Sequence, residues 1–107
     1  MKAKYLFLPL ALFASSAFAG NFNGTITSIG SKASGLFYVT MSGSTGHGAC
    51  SGASTYWAVK DETTAAGKDQ IAILLSAFAT GRTVTVYGVN TCTRSAGIED
   101  IDEVAAF

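Results

Sequence analysis

The chain has 107 residues, 13% of them charged and 49% hydrophobic, with seven Lys and Arg balanced by seven Asp and Glu. That is enough for one domain with a single small core and too poor in clustered cations for a protein that grips nucleic acid phosphates. One histidine and two cysteines leave no ligand set for a metal centre and at most one base for a nucleophilic triad.

Met1 to Lys4 is a short cationic start, Tyr5 to Ala14 is an apolar run, and Ser15 to Ala19 ends in Ala-x-Ala. This is the layout of a cleaved secretory leader. The apolar run is too short to cross a bilayer core of about 30 Å. The cut is expected after Ala19, so residues 1–19 are read as signal peptide and 20–107 as the domain, secreted or periplasmic after cleavage. Removing nineteen residues leaves 88, with five Lys and Arg against seven Asp and Glu, a net charge of −2. Export delivers Cys50 and Cys92, the only cysteines, to an oxidising compartment, where they are expected to pair. Closing a loop of about 40 residues should stabilise the domain by roughly 4 kcal/mol.

Phe22 to Ile29 opens the domain as a strand, with Phe22, Gly24 and Ile26 on the core side. Gly30 to Gly35 reads as a turn. Leu36 to Met41 is a second strand, with Phe37, Val39 and Met41 inward and Leu36, Tyr38 and Thr40 outward. Ser42 to Ser54 is a Gly- and Ser-rich loop held by Cys50, with His47 in it as a solvated loop residue. Thr55 to Val59 is a third strand with Trp57 and Val59 inward. Lys60 to Lys68 leads into a helix, with Thr63 or Thr64 as its cap. Gly67 is expected to delay the ordered part to about Lys68, and Gly81 to end it. From Asp69 to Gly81 the residues Ile71, Leu74, Leu75, Phe78 and Ala79 make one apolar stripe, which must be buried. Arg82 to Val89 is a fourth strand with Val84 and Val86 inward. Asn90 to Gly97 is a polar loop pinned by Cys92. Ile98 to Phe107 is read as a last, bulged strand, and its acids Glu99, Asp100, Asp102 and Glu103 as a solvated strand edge.

Three strands, a helix and two strands is the order of the five-stranded oligonucleotide/oligosaccharide-binding barrel, in which the helix plugs one end. The fold class is therefore mainly β with one helix and one disulfide; a small β-sandwich is the alternative. Four motifs carry a resemblance: Tyr56-Trp57-Ala58, Ala66-Gly67-Lys68, Thr80-Gly81-Arg82-Thr83-Val84-Thr85-Val86-Tyr87-Gly88, and Cys92-Thr93. On these the chain resembles small exported bacterial proteins with this barrel. More loosely, it is similar to the receptor-binding B subunits of five-plus-one bacterial toxins, the subtilase cytotoxin B subunit among them. That resemblance implies glycan binding and assembly as a homopentamer, but it matches no binding motif residue by residue.

For function, there is no Gly-x-Ser-x-Gly, no phosphate loop, and no pattern that implies a cofactor. The expectation is a non-catalytic binding module whose partner is a glycan or a protein, with no nucleic acid partner and no membrane insertion. Tyr38, Tyr56 and Tyr87 all fall on the outward parity of their strands and are the candidate ligand-binding residues, since aromatic faces stack on sugar rings and anchor protein interfaces. Arg94, in the loop after the fourth strand, is the candidate polar contact. The alternative role is a structural or inhibitory protein-interaction subunit.

Overall fold

The computed structural model describes residues 20–43, 50–52 and 54–107; the expected leader and His47 lie outside them. Five strands and one helix follow in the order β1 (Asn21–Ser31), β2 (Phe37–Met41), β3 (Tyr56–Val59), α1 (Ala65–Thr80), β4 (Thr83–Gly88) and β5 (Glu99–Ala106). The sheet closes on itself in the order β1-β2-β3-β5-β4. Neighbours are antiparallel except β3 and β5, which run parallel. This is the expected five-stranded barrel, and its closure excludes the two-sheet sandwich.

The inward side chains follow from strand parity. Ile26, Val39, Met41, Trp57, Val59, Val84, Val86, Ile101 and Val104 form the core, with Phe22, Ile29 and Phe37 packed against it. Two register shifts explain where simple alternation fails. One lies between Ile26 and Ser28 on β1, which lets both Ile26 and Ile29 face inward although they are three apart. The other lies where Gly88 of β4 pairs with Ile101 after Tyr87 has paired with Glu103. It turns both Ile101 and Val104 inward although they are three apart, as expected of a bulged strand. β1 also runs further than its sequence reading. Gly30 and Ser31 pair with Tyr38 and Phe37, and the turn is tightened to Lys32–Leu36, where Leu36 is buried rather than outward.

The helix departs most from expectation. It begins at Ala65, and Thr64 is its N-cap, with Thr64 Oγ1 accepting from the Gly67 N–H at 3.0 Å. Gly81 ends it in the left-handed region at φ 70°. Its buried positions are Gly67, Leu74 and Ala77, with Ile71 and Ile73 against the core. Leu75 and Phe78, expected in the buried stripe, are 43% and 41% exposed. Gly67 is the reason. A Cβ there would lie 1.8 Å from the Asp61 carbonyl oxygen, so the absent side chain lets the preceding loop press onto the first helical turn. That contact fixes the rotation of α1, and the narrow Gly67–Leu74–Ala77 line faces the barrel instead of the bulkier one. In an exposed helix, Gly→Ala gains about 1 kcal/mol. Here Gly67→Ala is expected to destabilise by about 1–3 kcal/mol through overpacking, read as a lower urea midpoint with an unchanged m-value.

No helix among the described residues is long and apolar enough to cross a membrane.

Candidate functional site

The outward face of β2 and β3 carries the first two candidate tyrosines. Tyr38 pairs with Ala58 and Tyr56 with Thr40, so the tyrosines are diagonal neighbours across the two strands. Their ring centroids are 5.7 Å apart with planes tilted by 40°, inside the range in which aromatic rings attract. Tyr38 lies over Gly30 of β1, since a Cβ there would be 2.4 Å from its hydroxyl. The glycine therefore lets the ring lie down on the sheet, and Tyr38 is half-buried while Tyr56 stays 41% exposed. Beside them is a cleft of about 230 Å³, lined by Lys32 from the β1–β2 turn, Tyr38, Tyr56, and Ile98 from the β4–β5 loop.

The other two candidates stand elsewhere. Tyr87 is exposed on β4, which lies between β1 and β5. One strand separates it from β2 and one from β3, so it does not join the tyrosine pair. The expected surface of three tyrosines is a pair plus a single. Arg94 is turned inward. Its Nη1 donates to the Val59 carbonyl at 3.0 Å and the Lys60 carbonyl at 3.3 Å, and forms an ion pair with Glu62 Oε1. The other oxygen of Glu62 accepts from the Phe37 N–H at 2.7 Å. Arg94 thus ties the β4–β5 loop to the exit of β3, and Glu62 ties both to the start of β2. Burial works to raise the Glu62 carboxyl, but the Phe37 N–H and the Arg94 guanidinium outweigh it and hold the group below its ordinary value. Asp61 is also held low, by the hydroxyl and N–H of Thr63.

The acidic stretch at the start of β5 is not a solvated edge. Glu99 and Asp100 are fully buried; only Asp102 and Glu103 are exposed. Asp100 Oδ2 accepts from Thr91 Oγ1 at 2.7 Å, Thr93 N at 3.0 Å and Thr93 Oγ1 at 2.7 Å, while Oδ1 is buried with no partner of ordinary hydrogen-bond geometry among the described residues. Burial acts to raise this carboxyl. The Thr93 hydroxyl and N–H, the Thr91 hydroxyl and the Arg94 backbone N–H together hold it below the usual value. Cys92 stands between those threonines and is bonded to Cys50, with a Cα–Cα distance of 6.0 Å. The β4–β5 loop that delivers Ile98 to the cleft is therefore fixed from beneath by Asp100, from the side by Arg94 and from the β2–β3 connection by the disulfide.

Sequence reasoning missed four of these residues. Glu99 shares a parity with Ile101, which was a usable sign that it faces inward. Asp100, Glu62 and Lys32 had no such sign: Asp100 is satisfied by hydroxyls and an N–H of the preceding loop, Glu62 by Phe37 and Arg94 far away in the chain, and Lys32 reaches the cleft only through the path of its turn.

A second, larger cleft of about 410 Å³ opens at the N-terminus of α1, lined by Lys60, Asp61, Thr64, Gln70 and Asp102 among others. Three of its polar side chains already have structural tasks. Asp61 holds Thr63, Thr64 caps the helix, and Gln70 donates to the Asp102 carbonyl. It offers no aromatic face. Among the described residues no group of three or more His, Cys, Asp or Glu is placed to hold a metal ion.

Comparison of the chain with protein-family models, with curated proteins and with solved structures finds no match, so its fold and its cleft are the grounds for any functional conclusion.

Proposed function

We propose that the chain is an exported, non-catalytic binding module that takes a glycan in the cleft between the β1–β2 turn and the β4–β5 loop. The observation that carries this is the Tyr38–Tyr56 pair beside that cleft. An exposed aromatic face on a rigid sheet stacks on the apolar face of a sugar ring at little entropic cost. The position supports the reading, because barrels of this topology take oligosaccharides and oligonucleotides on the β2–β3 face between these two loops. The size supports it as well: about 230 Å³ is below the roughly 300–1,000 Å³ of pockets for drug-sized ligands and suits a single ring. Charge favours a sugar over a nucleic acid. Among the described residues Lys32 is the one cation lining the cleft, and the five cations against seven acids of residues 20–107 do not make a phosphate track.

A glycan array probed with the wild-type domain and with Tyr38→Ala/Tyr56→Ala tests this. Loss of each ring is expected to weaken binding about 5- to 150-fold, the equivalent of about 1–3 kcal/mol per stacked ring, with Tyr87→Ala unchanged. Binding that ignores both changes would sink the glycan reading. It would favour a protein-interaction subunit acting through the exposed Leu75 and Phe78 of α1.

A further inference from the structure

We propose that Gly20 is the N-terminus of the working protein, and that its α-ammonium is held by Glu99 in a site built to receive it. Gly20 is buried at the entry to β1. Its nitrogen donates to Glu99 Oε2 at 3.0 Å, and its carbonyl accepts from the Gly88 N–H at 2.8 Å. The same Oε2 accepts from the Asn90 N–H at 2.9 Å. Asn90 itself takes a left-handed backbone, φ 65°, to present that N–H. A Cβ on Gly88 would stand 1.9 Å from Glu99 Oε2, so the carboxyl fills space that any other residue at position 88 would take. The glutamate head is thus seated between two glycines, fully buried, with a main-chain nitrogen of residue 20 in contact.

An opposite charge at hydrogen-bond distance offsets part of the cost of taking a carboxylate out of water, beyond what neutral N–H donors supply. In the uncut chain the nitrogen of Gly20 is a neutral amide with one hydrogen. Hydrolysis of the Ala19–Gly20 bond by a leader-removing peptidase changes that. The C–N bond breaks, one water supplies a hydroxyl to the Ala19 carbonyl and a hydrogen to the Gly20 nitrogen, and the proton released by the new carboxyl converts the amine to an ammonium. The nitrogen already at hydrogen-bond distance from Glu99 becomes a cation. Two independent features point to the same bond. The Ala-x-Ala ending of the leader marks it from the N-terminal side, and a buried acid 79 residues away sits against the nitrogen that the cut would charge. Because that nitrogen is buried in the folded domain, the cut precedes folding, and processing one residue to either side leaves the ammonium off Glu99. This inference concerns maturation and is independent of the ligand cleft.

Mass spectrometry of the exported protein is expected to give Gly20 as the first residue. The mature domain with a free Gly20 amine is then compared with its N-acetylated form, which keeps the N–H and removes the charge, each with Glu99 and with Glu99→Gln. Acetylation is expected to raise the unfolding equilibrium constant about 10- to 100-fold with Glu99 present and less than about 3-fold with Glu99→Gln. Should Glu99→Gln fail to fold, acylation of the amine carries the test. Gly20 is expected to react at least about tenfold more slowly in the folded protein than in urea, while Lys32, Lys60 and Lys68 change little. A first residue other than Gly20, indifference of the Glu99 protein to acetylation, or a Gly20 amine that acylates equally fast folded and unfolded overturns the proposal.

Discussion

Asp100→Ala is expected to destabilise the domain by about 3 kcal/mol and to release the β4–β5 loop, measured by urea unfolding and by hydrogen exchange over residues 91–98. The carboxyl is the shared acceptor for the Thr91 and Thr93 hydroxyls and the Thr93 N–H. Removing an acceptor leaves each part-buried donor with a desolvation cost of up to about 1–3 kcal/mol, less whatever the hydroxyls recover by rotating toward water. Asp100→Asn separates charge from shape. The amide oxygen can face the three donors while its NH₂ replaces Oδ1, which makes no hydrogen bond of ordinary geometry among the described residues. The asparagine variant should therefore cost only about 1–2 kcal/mol, the charge-assisted share of these bonds. The two variants also differ in acid. The Asp100 carboxyl is held below its ordinary 3.8 in the folded protein. A depressed carboxyl contributes stability above its unfolded value and loses it as pH falls through the folded value. Wild-type stability should thus decline below about pH 4. Glu62, depressed below 4.5, adds to the same slope, so Asp100→Asn flattens the decline without abolishing it. A decline of equal steepness in both proteins would place the acid sensitivity elsewhere.

The difference between what could be read from the chain and what could not has a physical pattern. Strand positions and inward faces were legible because alternation is local. Val84 and Val86, or Phe37, Val39 and Met41, declare a face by their spacing alone. The order of elements then sufficed for the barrel. The rotation of α1 was misread, because periodicity singled out one stripe through Leu75 and Phe78 that the fold leaves exposed. A glycine read as a helix breaker decided the rotation by admitting the Asp61 carbonyl. The loop chemistry was less legible still. Glu99 and Asp100 sit in an acidic run that resembles a solvated edge, and their partners, the distant Gly20 and the loop threonines flanking Cys92, do not announce themselves by spacing. At the candidate site, parity placed Tyr38 and Tyr56 outward. It could not say that Tyr87 lies away from them, since that depends on β5 lying between β3 and β4.

Replacing both cysteines, Cys50→Ala with Cys92→Ala, is expected to cost about 4 kcal/mol in the chain-entropy account for a loop with a sequence separation of 42. For a domain of this size each kcal/mol moves Tm by about 4–8 °C, so the midpoint should fall by about 15–30 °C. The location of the bond argues for the upper part of that range. The barrel is closed by the parallel β3–β5 seam, which has three residue pairs, Trp57 with Glu99, Ala58 with Asp100 and Val59 with Ile101. Parallel pairing is slightly weaker per residue than antiparallel pairing. The disulfide joins the connection entering β3 to the loop entering β5, and Arg94 joins that loop to the exit of β3. The covalent link and the ion pair therefore both reinforce the joint with few rungs of its own. Calorimetry with and without a thiol reductant gives the same comparison without mutation. In the reduced protein, exchange protection should fall first at residues 91–98 and in β3, ahead of β1 and β4, which share five residue pairs. If the lost protection is instead spread evenly over all five strands, the bond stabilises only through the unfolded chain and the seam does not depend on it.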